Sequence, residues 1–230
     1  MHHGSHHRRV RALTFVPLLC LGLCGVGTAA AEESHWSLRG GPVGVFWNES
    51  STVSVAGSKV PGGSVAAKNN ASLGVDVGYD LDDRWSLRLA VGVPPTTELT
   101  TSGSLNALVP PLSGKLGKVK YGPAVLTAVY RFNPNGRIVP YVGAGASYVY
   151  VFDTDDGDVA GLQVDSAWGS VLQAGIDVPL KRGWSLFLDA RKILVQTRAR
   201  GTVPALGGPP ASVAVHLDPL IVHTGIEYHF

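Results

Sequence analysis

Several residue groups have the types that catalysis or ligand binding uses. Ser212, His216 and Asp218 share one parity of a β-like stretch and supply a hydroxyl nucleophile, a base and an orienting acid. Residues two apart on a strand stand about 6.5 to 7 Å from each other, so such a relay needs a group from a neighbouring strand. His223, Glu227 and His229 are metal-ligand types on one parity. Their spread exceeds what bond lengths of about 2.0 to 2.2 Å allow to a single ion, which places them in a network of polar side chains instead. Gly143-Ala144-Gly145 is half of a dinucleotide fingerprint with no helix after it, and the chain carries no motif that calls for a cofactor. The acidic run Asp153, Asp155, Asp156 and Asp158 suits either a divalent cation or a solvated charged loop.

The elements that carry these residues follow from a period of two. From Asn70 to Leu81 the odd positions are Ala71, Leu73, Val75, Val77, Tyr79 and Leu81, and the even ones Asn70, Ser72, Gly74, Asp76, Gly78 and Asp80. One face is apolar and the other polar, the signature of a strand between two media. The pattern recurs and predicts eight strands at about 34 to 47, 70 to 81, 84 to 94, 118 to 132, 138 to 152, 167 to 179, 184 to 199 and 212 to 230. Tight turns at Asp82-Asp83, Asn133 to Gly136 and Leu180 to Gly183 alternate with long loops at 48 to 69, 95 to 117, 153 to 166 and 200 to 211.

Residues 1 to 31 read as a cleaved secretory signal: basic Arg8, Arg9 and Arg11, an apolar stretch from Ala12 to about Val26, then Thr28-Ala29-Ala30-Ala31. Both cysteines, Cys20 and Cys24, lie in that segment and follow leucines, which argues against lipidation and leaves the exported chain without a thiol. Removing the three arginines brings the 19 basic residues one below the 17 acidic ones, a balance that offers nucleic acid no electrostatic footprint. An exported chain with alternating strands and no long apolar run after residue 31 fits a lipid bilayer only as a closed barrel, because every backbone group must then find a partner within the wall. The fold class expected is all-β, an eight-stranded antiparallel up-and-down transmembrane β-barrel spanning residues 32 to 230, with short turns on the periplasmic side and long loops outside. A soluble barrel with its apolar face inward is the alternative, disfavoured by the charges on the opposite parity. Trp36, Trp85, Tyr130, Phe132, Trp184, Tyr228 and Phe230 near strand ends suit headgroup-level belts.

The inward parity divides by height. Arg39, Arg88, Arg131 and Arg191 with Asp80, Asp177, Asp189, Glu227 and His223 fall in the periplasmic half, where charges enclosed by eight strands must pair and would plug the barrel. Val43, Val45, Val125, Val149, Val151, Val171, Ile193, Val195, Val215, Leu217 and Ile221 fall in the outer half and outline an apolar cup. Gly143, Gly145, Gly169 and Gly175 also point inward, which favours empty space there, although the β-branched residues would fill a solid core equally well. With the floor plugged, release from the cup has to go sideways.

Pro140-Tyr141-Val142-Gly143-Ala144-Gly145, Ala167-Trp168-Gly169 with Gln173, Gly175 and Asp177, and Leu217-Asp218-Pro219 running to Gly225, Tyr228 and Phe230 resemble the outer membrane protein W (OmpW) family, as do Arg39-Gly40 and Arg131-Phe132-Asn133-Pro134. That resemblance implies an eight-stranded barrel with a narrow apolar interior for passage of small hydrophobic molecules. It also implies a possible constriction at Trp168, whose leucine partner in the family falls on Ala90 here. Parity places Trp168 with Leu172, Ala174 and Ile176 on the lipid face, where it would join a girdle unless a bulge turns it inward.

The function expected is a channel or binding cup for small hydrophobic molecules with lateral release. A structural or surface-interaction barrel and a lipid-modifying enzyme using Ser212, His216 and Asp218 are the alternatives. Expected partners are outer-membrane lipid, lipopolysaccharide (through a snorkelling Lys192), a small hydrophobic ligand, and the barrel insertion machinery, which would read the C-terminal Tyr228 and Phe230. No cofactor and no metal are expected.

Overall fold

The computed structural model describes residues 35–47, 49–109 and 112–230; within these, the side chains of Glu49, Ser50, Leu108, Val215, His216 and Leu217 lie outside the description. The secretory signal expected at 1 to 31 also falls outside the described residues. The strands are β1 (Trp36–Phe46), β2 (Glu49–Val55), β3 (Ser58–Lys59), β4 (Gly63–Ala67), β5 (Asn70–Asp80), β6 (Trp85–Gly92), β7 (Thr96–Gly103), β8 (Lys115–Arg131), β9 (Val139–Asp156), β10 (Ala160–Val164), β11 (Ala167–Pro179), β12 (Trp184–Thr202), β13 (Pro210–Leu217) and β14 (Leu220–His229).

Eight of them close a ring in which every neighbour is antiparallel: β1–β5–β6–β8–β9–β11–β12–β14 and back to β1. Closure leaves no sheet edge, as a wall facing hydrocarbon requires. The alternation sets the faces as expected. Along β5 the even positions Gly74, Asp76 and Gly78 are buried while Leu73, Val75, Val77 and Tyr79 are exposed, and along β12 Phe187, Asp189, Arg191 and Ile193 are buried while Leu186, Leu188 and Leu194 are exposed. Aromatic pairs ring the turn end: Trp36 with Tyr79 (4.9 Å), Trp85 with Tyr130 (5.1 Å) and Trp184 with Tyr228 (4.9 Å between centroids).

Two expectations need correction. The long loops are not irregular: β2, β4, β7 and β10 arise within them, and pairings β13–β2, β4–β7, β7–β8 and β10–β12 carry the wall upward past the ring. Their alternation is written in Val53, Val65, Thr97 and Leu162, buried residues set among Gly, Ser and Thr. The last predicted strand is two strands, because Pro219 has no N–H to donate to a ladder. β14 pairs with β12 up to Lys192↔Leu220, and β13 takes over from Val195↔Leu217. The amide of Ile193 donates to the Pro219 carbonyl (3.1 Å) and Lys192 Nζ donates to the Asp218 carbonyl, which ties down the break. Lys192 thus has a partner within the fold at this point.

Candidate functional site

The floor of the barrel is a network of ions. Arg39 on β1 is 1% exposed; its Nη2 donates to Asp177 Oδ1 (2.8 Å) and to Glu227 Oε2 (2.9 Å), and its Nη1 donates to Tyr141 Oη (3.0 Å). Tyr141 Oη in turn donates to Asp189 Oδ2 (2.7 Å). Arg88 Nη2 lies 3.4 Å from Asp177 Oδ2, with its guanidinium 4.9 Å from the Tyr141 ring centroid. Arg191 pairs with Asp76 and with Asp189 Oδ1 (2.8 Å), and Arg131 pairs with Asp80. His223 Nδ1 stands 3.5 Å from Asp76, and its ring meets Phe187 edge-on at 4.7 Å. His229 lies 3.5 Å from Glu227 and 3.8 Å from Asp80, on the same network. Enclosed charges persist only when paired and hydrogen-bonded, and here each arginine faces at least one carboxylate.

The nine residues expected in the plug are thus brought together. Sequence reasoning left out Asp76, Tyr141, Gln173 and Thr127. Asp76 lies on the even, inward parity of β5, so parity alone finds it. Gln173 and Thr127 required the pairing across β8, β9 and β11, where Thr127 Oγ1 donates to Gln173 Oε1 (2.7 Å). The inward glycines do not leave empty space either: a Cβ on Gly175 would meet Tyr141 Oη at 2.4 Å, and one on Gly143 would meet Gln173 Oε1 at 3.2 Å. Tyr141 and Gln173 occupy the volume those glycines release.

Above the floor lies a lower chamber. Val43, Val45, Val125, Val149, Ile193, Val195 and Ile221 line it over a base of Asp76, Arg191 and His223. An upper chamber follows, lined by Val65, Leu99, Leu116, Val119, Val151, Leu162 and Val213 among others, and Val65, Leu99 and Leu162 come from strands the sequence reading took for loops. Val171, expected in the cup, is 1% exposed, packs with Ala90, Val125 and Ile193, and is not among the residues that line either chamber. The Leu217 side chain lies outside the described residues.

Trp168 resolves to the lipid face. It is 72% exposed and stacks on Tyr148 at 4.8 Å, extending an outer aromatic row through Tyr150 and Phe152. The constriction expected from Trp168 with Ala90 does not form, because no bulge reverses the parity of β11 and Ala90 is only one carbon deep on the inner face of β6.

The wall beside the lower chamber is incomplete. The β6–β8 ladder stops at Ala90↔Val125 and pairing resumes only at Thr96↔Lys120 on β7. Pro94, Pro95 and Pro123 in between cannot donate, and one bond, Tyr121 N–H to the Pro95 carbonyl (3.2 Å), crosses there. The lining of the lower chamber runs through this interval to the outward-facing Leu73 (61% exposed), Val91 (49%) and Val93 (61%).

Of the catalytic types singled out, Ser212 is exposed on β13 and Asp218 sits at the strand break, while the His216 side chain lies outside the described residues. The acidic loop serves the backbone. Asp156 accepts the N–H groups of Gly161 (2.8 Å) and Leu162 (2.9 Å), which hold its carboxyl below the usual aspartate range, and Asp158 accepts those of Ser113 (3.0 Å) and Gly114 (2.9 Å).

Comparison with known proteins agrees with this geometry. The OmpW family model matches residues 32–230. The dibenzothiophene metabolism operon protein PahQ of Pseudomonas aeruginosa is 37% identical over 93% of this chain and 95% of its own, and outer membrane protein AlkL of Ectopseudomonas oleovorans is 31% identical over 77% and 74%. The crystal structure of OprG from Pseudomonas aeruginosa superposes with a TM-score of 0.78 at 25% identity, covering 86% of this chain and 97% of that one. With its closed ring of eight strands, its lipid-facing aliphatic surface and this match along its whole described length, the chain belongs to the OmpW family of Gram-negative outer-membrane proteins.

Proposed function

We propose that the protein takes small hydrophobic molecules from outside the cell into its upper chamber, passes them to the lower one and releases them sideways into the membrane. The observation that carries this reading is the lower chamber, whose apolar lining continues from the lumen through the unpaired interval to Val91 and Val93 on the lipid face. The paired ions of the floor oppose passage straight down, since an apolar guest there would have to separate charges in a low-dielectric interior. Lateral exit instead keeps the guest among apolar side chains, and burial of its surface contributes about 25 cal/mol per Å² removed from water. The relative named for a dibenzothiophene metabolism operon fits a hydrophobic cargo. Exposed Lys118 and Lys120 on the upper part of β8 are proposed to meet lipopolysaccharide, and the exposed Phe230 with Tyr228 to meet the insertion machinery during assembly.

A deletion strain is expected to lose uptake of a radiolabelled apolar tracer, wild-type protein to restore it, and Val149→Asp to lower the initial rate roughly tenfold, because a lone carboxylate in an apolar lining costs more than the 1.4 kcal/mol that a factor of ten represents. Normal uptake in both the deletion strain and the Val149→Asp strain would overturn the reading and leave a barrel with a structural or surface role.

A further inference from the structure

Upper and lower chambers share four lining residues, Trp47, Tyr121, Val149 and Val195, so these form the neck between them. The two rings meet edge to face across it, with centroids 5.4 Å apart and planes at 65°. No other Phe, Tyr or Trp among the described residues lines either chamber. Both rings hang on one dipeptide, at the point where the β4–β5 link enters β5: the Trp47 backbone N–H donates to Asn69 Oδ1 (2.9 Å), and Asn70 Nδ2 donates to Tyr121 Oη (3.2 Å) and to Thr97 Oγ1 (2.8 Å). The indole N–H of Trp47 is enclosed without a partner.

We infer that Trp47 and Tyr121 form an aromatic gate that gives the protein a preference for flat aromatic molecules over saturated ones of similar size. The inference rests on the transport reading above. The upper chamber measures about 100 Å³ and the lower about 70 Å³, each smaller than the apolar cavity of about 150 Å³ that takes up benzene, whereas the two joined through the neck exceed it. A guest ring that moves from one chamber to the other passes the residues they share, Trp47 and Tyr121 among them. An aromatic guest that parts the two rings replaces their edge-to-face contact with its own faces and edges, while a saturated guest replaces only the buried area. Aromatic pairing beyond area corresponds to about a two- to tenfold preference. The unpartnered indole N–H extends the class to aromatic rings that carry one hydrogen-bond acceptor.

The test compares initial uptake of radiolabelled naphthalene and decalin by a deletion strain that expresses wild type, Trp47→Leu/Tyr121→Leu or Trp47→Phe, with surface amounts matched by heat-modifiable migration. Wild type is expected to favour naphthalene severalfold, the double leucine variant to lose that preference while still carrying decalin, and Trp47→Phe, which keeps a ring, to retain it. An unchanged naphthalene-to-decalin ratio in the double variant would overturn the gate and leave transport intact. Absence of protein-dependent uptake of either tracer would overturn the transport reading, and the gate with it. Should the double variant fail to assemble, nuclear Overhauser contacts between naphthalene and the rings of Trp47 and Tyr121 in the wild-type protein decide the matter: contacts support the gate, and contacts to the chamber valines alone overturn it.

Discussion

At the residue scale the floor makes the sharpest demands. Arg39 contacts two carboxylates and a phenol, so Arg39→Ala leaves Asp177 and Glu227 enclosed without their strongest partner. Truncation of one partner of a buried ion pair costs about 3–5 kcal/mol, and the urea midpoint of the folded barrel is expected to fall accordingly. Tyr141→Phe removes one donor and one acceptor and is expected to cost about 1–3 kcal/mol in the same measurement. These roles differ in how visible they are from the sequence. Arg39, Arg88 and Asp189 announce themselves by parity, since a charge on the lumenal face of a membrane strand needs a partner. Tyr141 does not, because its position on β9 is equally compatible with the apolar lumen until Gly175, directly opposite it on β11 and two residues before Asp177, is seen to make room for its ring. Trp47 and Tyr121 were missed for a related reason: Trp47 falls just past the end of β1, and its ring partner comes from a strand more than seventy residues later.

At the element scale the interval between β6 and β8 can be clamped. A Cβ on Gly122 would lie 3.7 Å from Pro94 Cβ, within the range of about 3.5–4.5 Å that a disulfide spans. Gly122→Cys with Pro94→Cys is expected to cut tracer uptake when oxidised and to recover it on reduction. Both native cysteines precede residue 25, so the barrel itself offers no competing thiol. The link from β9 to β10 has its own test. Asp156 is held below the ordinary aspartate value chiefly by the Gly161 N–H and next by that of Leu162, so its contribution is complete above the unfolded value and disappears as pH falls through the lower folded one. Amide-exchange protection at Gly161 and Leu162, taken relative to the intrinsic rate at each pH, is expected to be high at neutral pH and to fall in that acidic window, and Asp156→Ala to lower it at both.

At the scale of the whole molecule the ring of eight was legible because lipid imposes one rule on every strand: the outward parity is greasy from turn to rim, as in Leu73, Val75 and Val77. The upper wall was not legible because it faces water on its outside. There β2, β4 and β7 show their inward Val53, Val65 and Thr97 against a background of Ser, Thr and Gly, and their partners are chosen by long-range pairing. Pro219 did carry a local signal, since a proline inside a predicted strand marks a break. A plugged floor also predicts that wild-type protein in planar bilayers passes no unitary ion current, and that Arg39→Ala combined with Glu227→Ala opens one.

The Arg39–Glu227 pair has a consequence for assembly. These residues stand directly opposite each other in the β1–β14 register, where the first and last described strands meet. Until the first and last strands find each other, each carries a charge that has lost water and not yet gained its counterpart. The seam is therefore a latch: a half-inserted sheet is penalised electrostatically, and the relief arrives in a single step when the cylinder shuts.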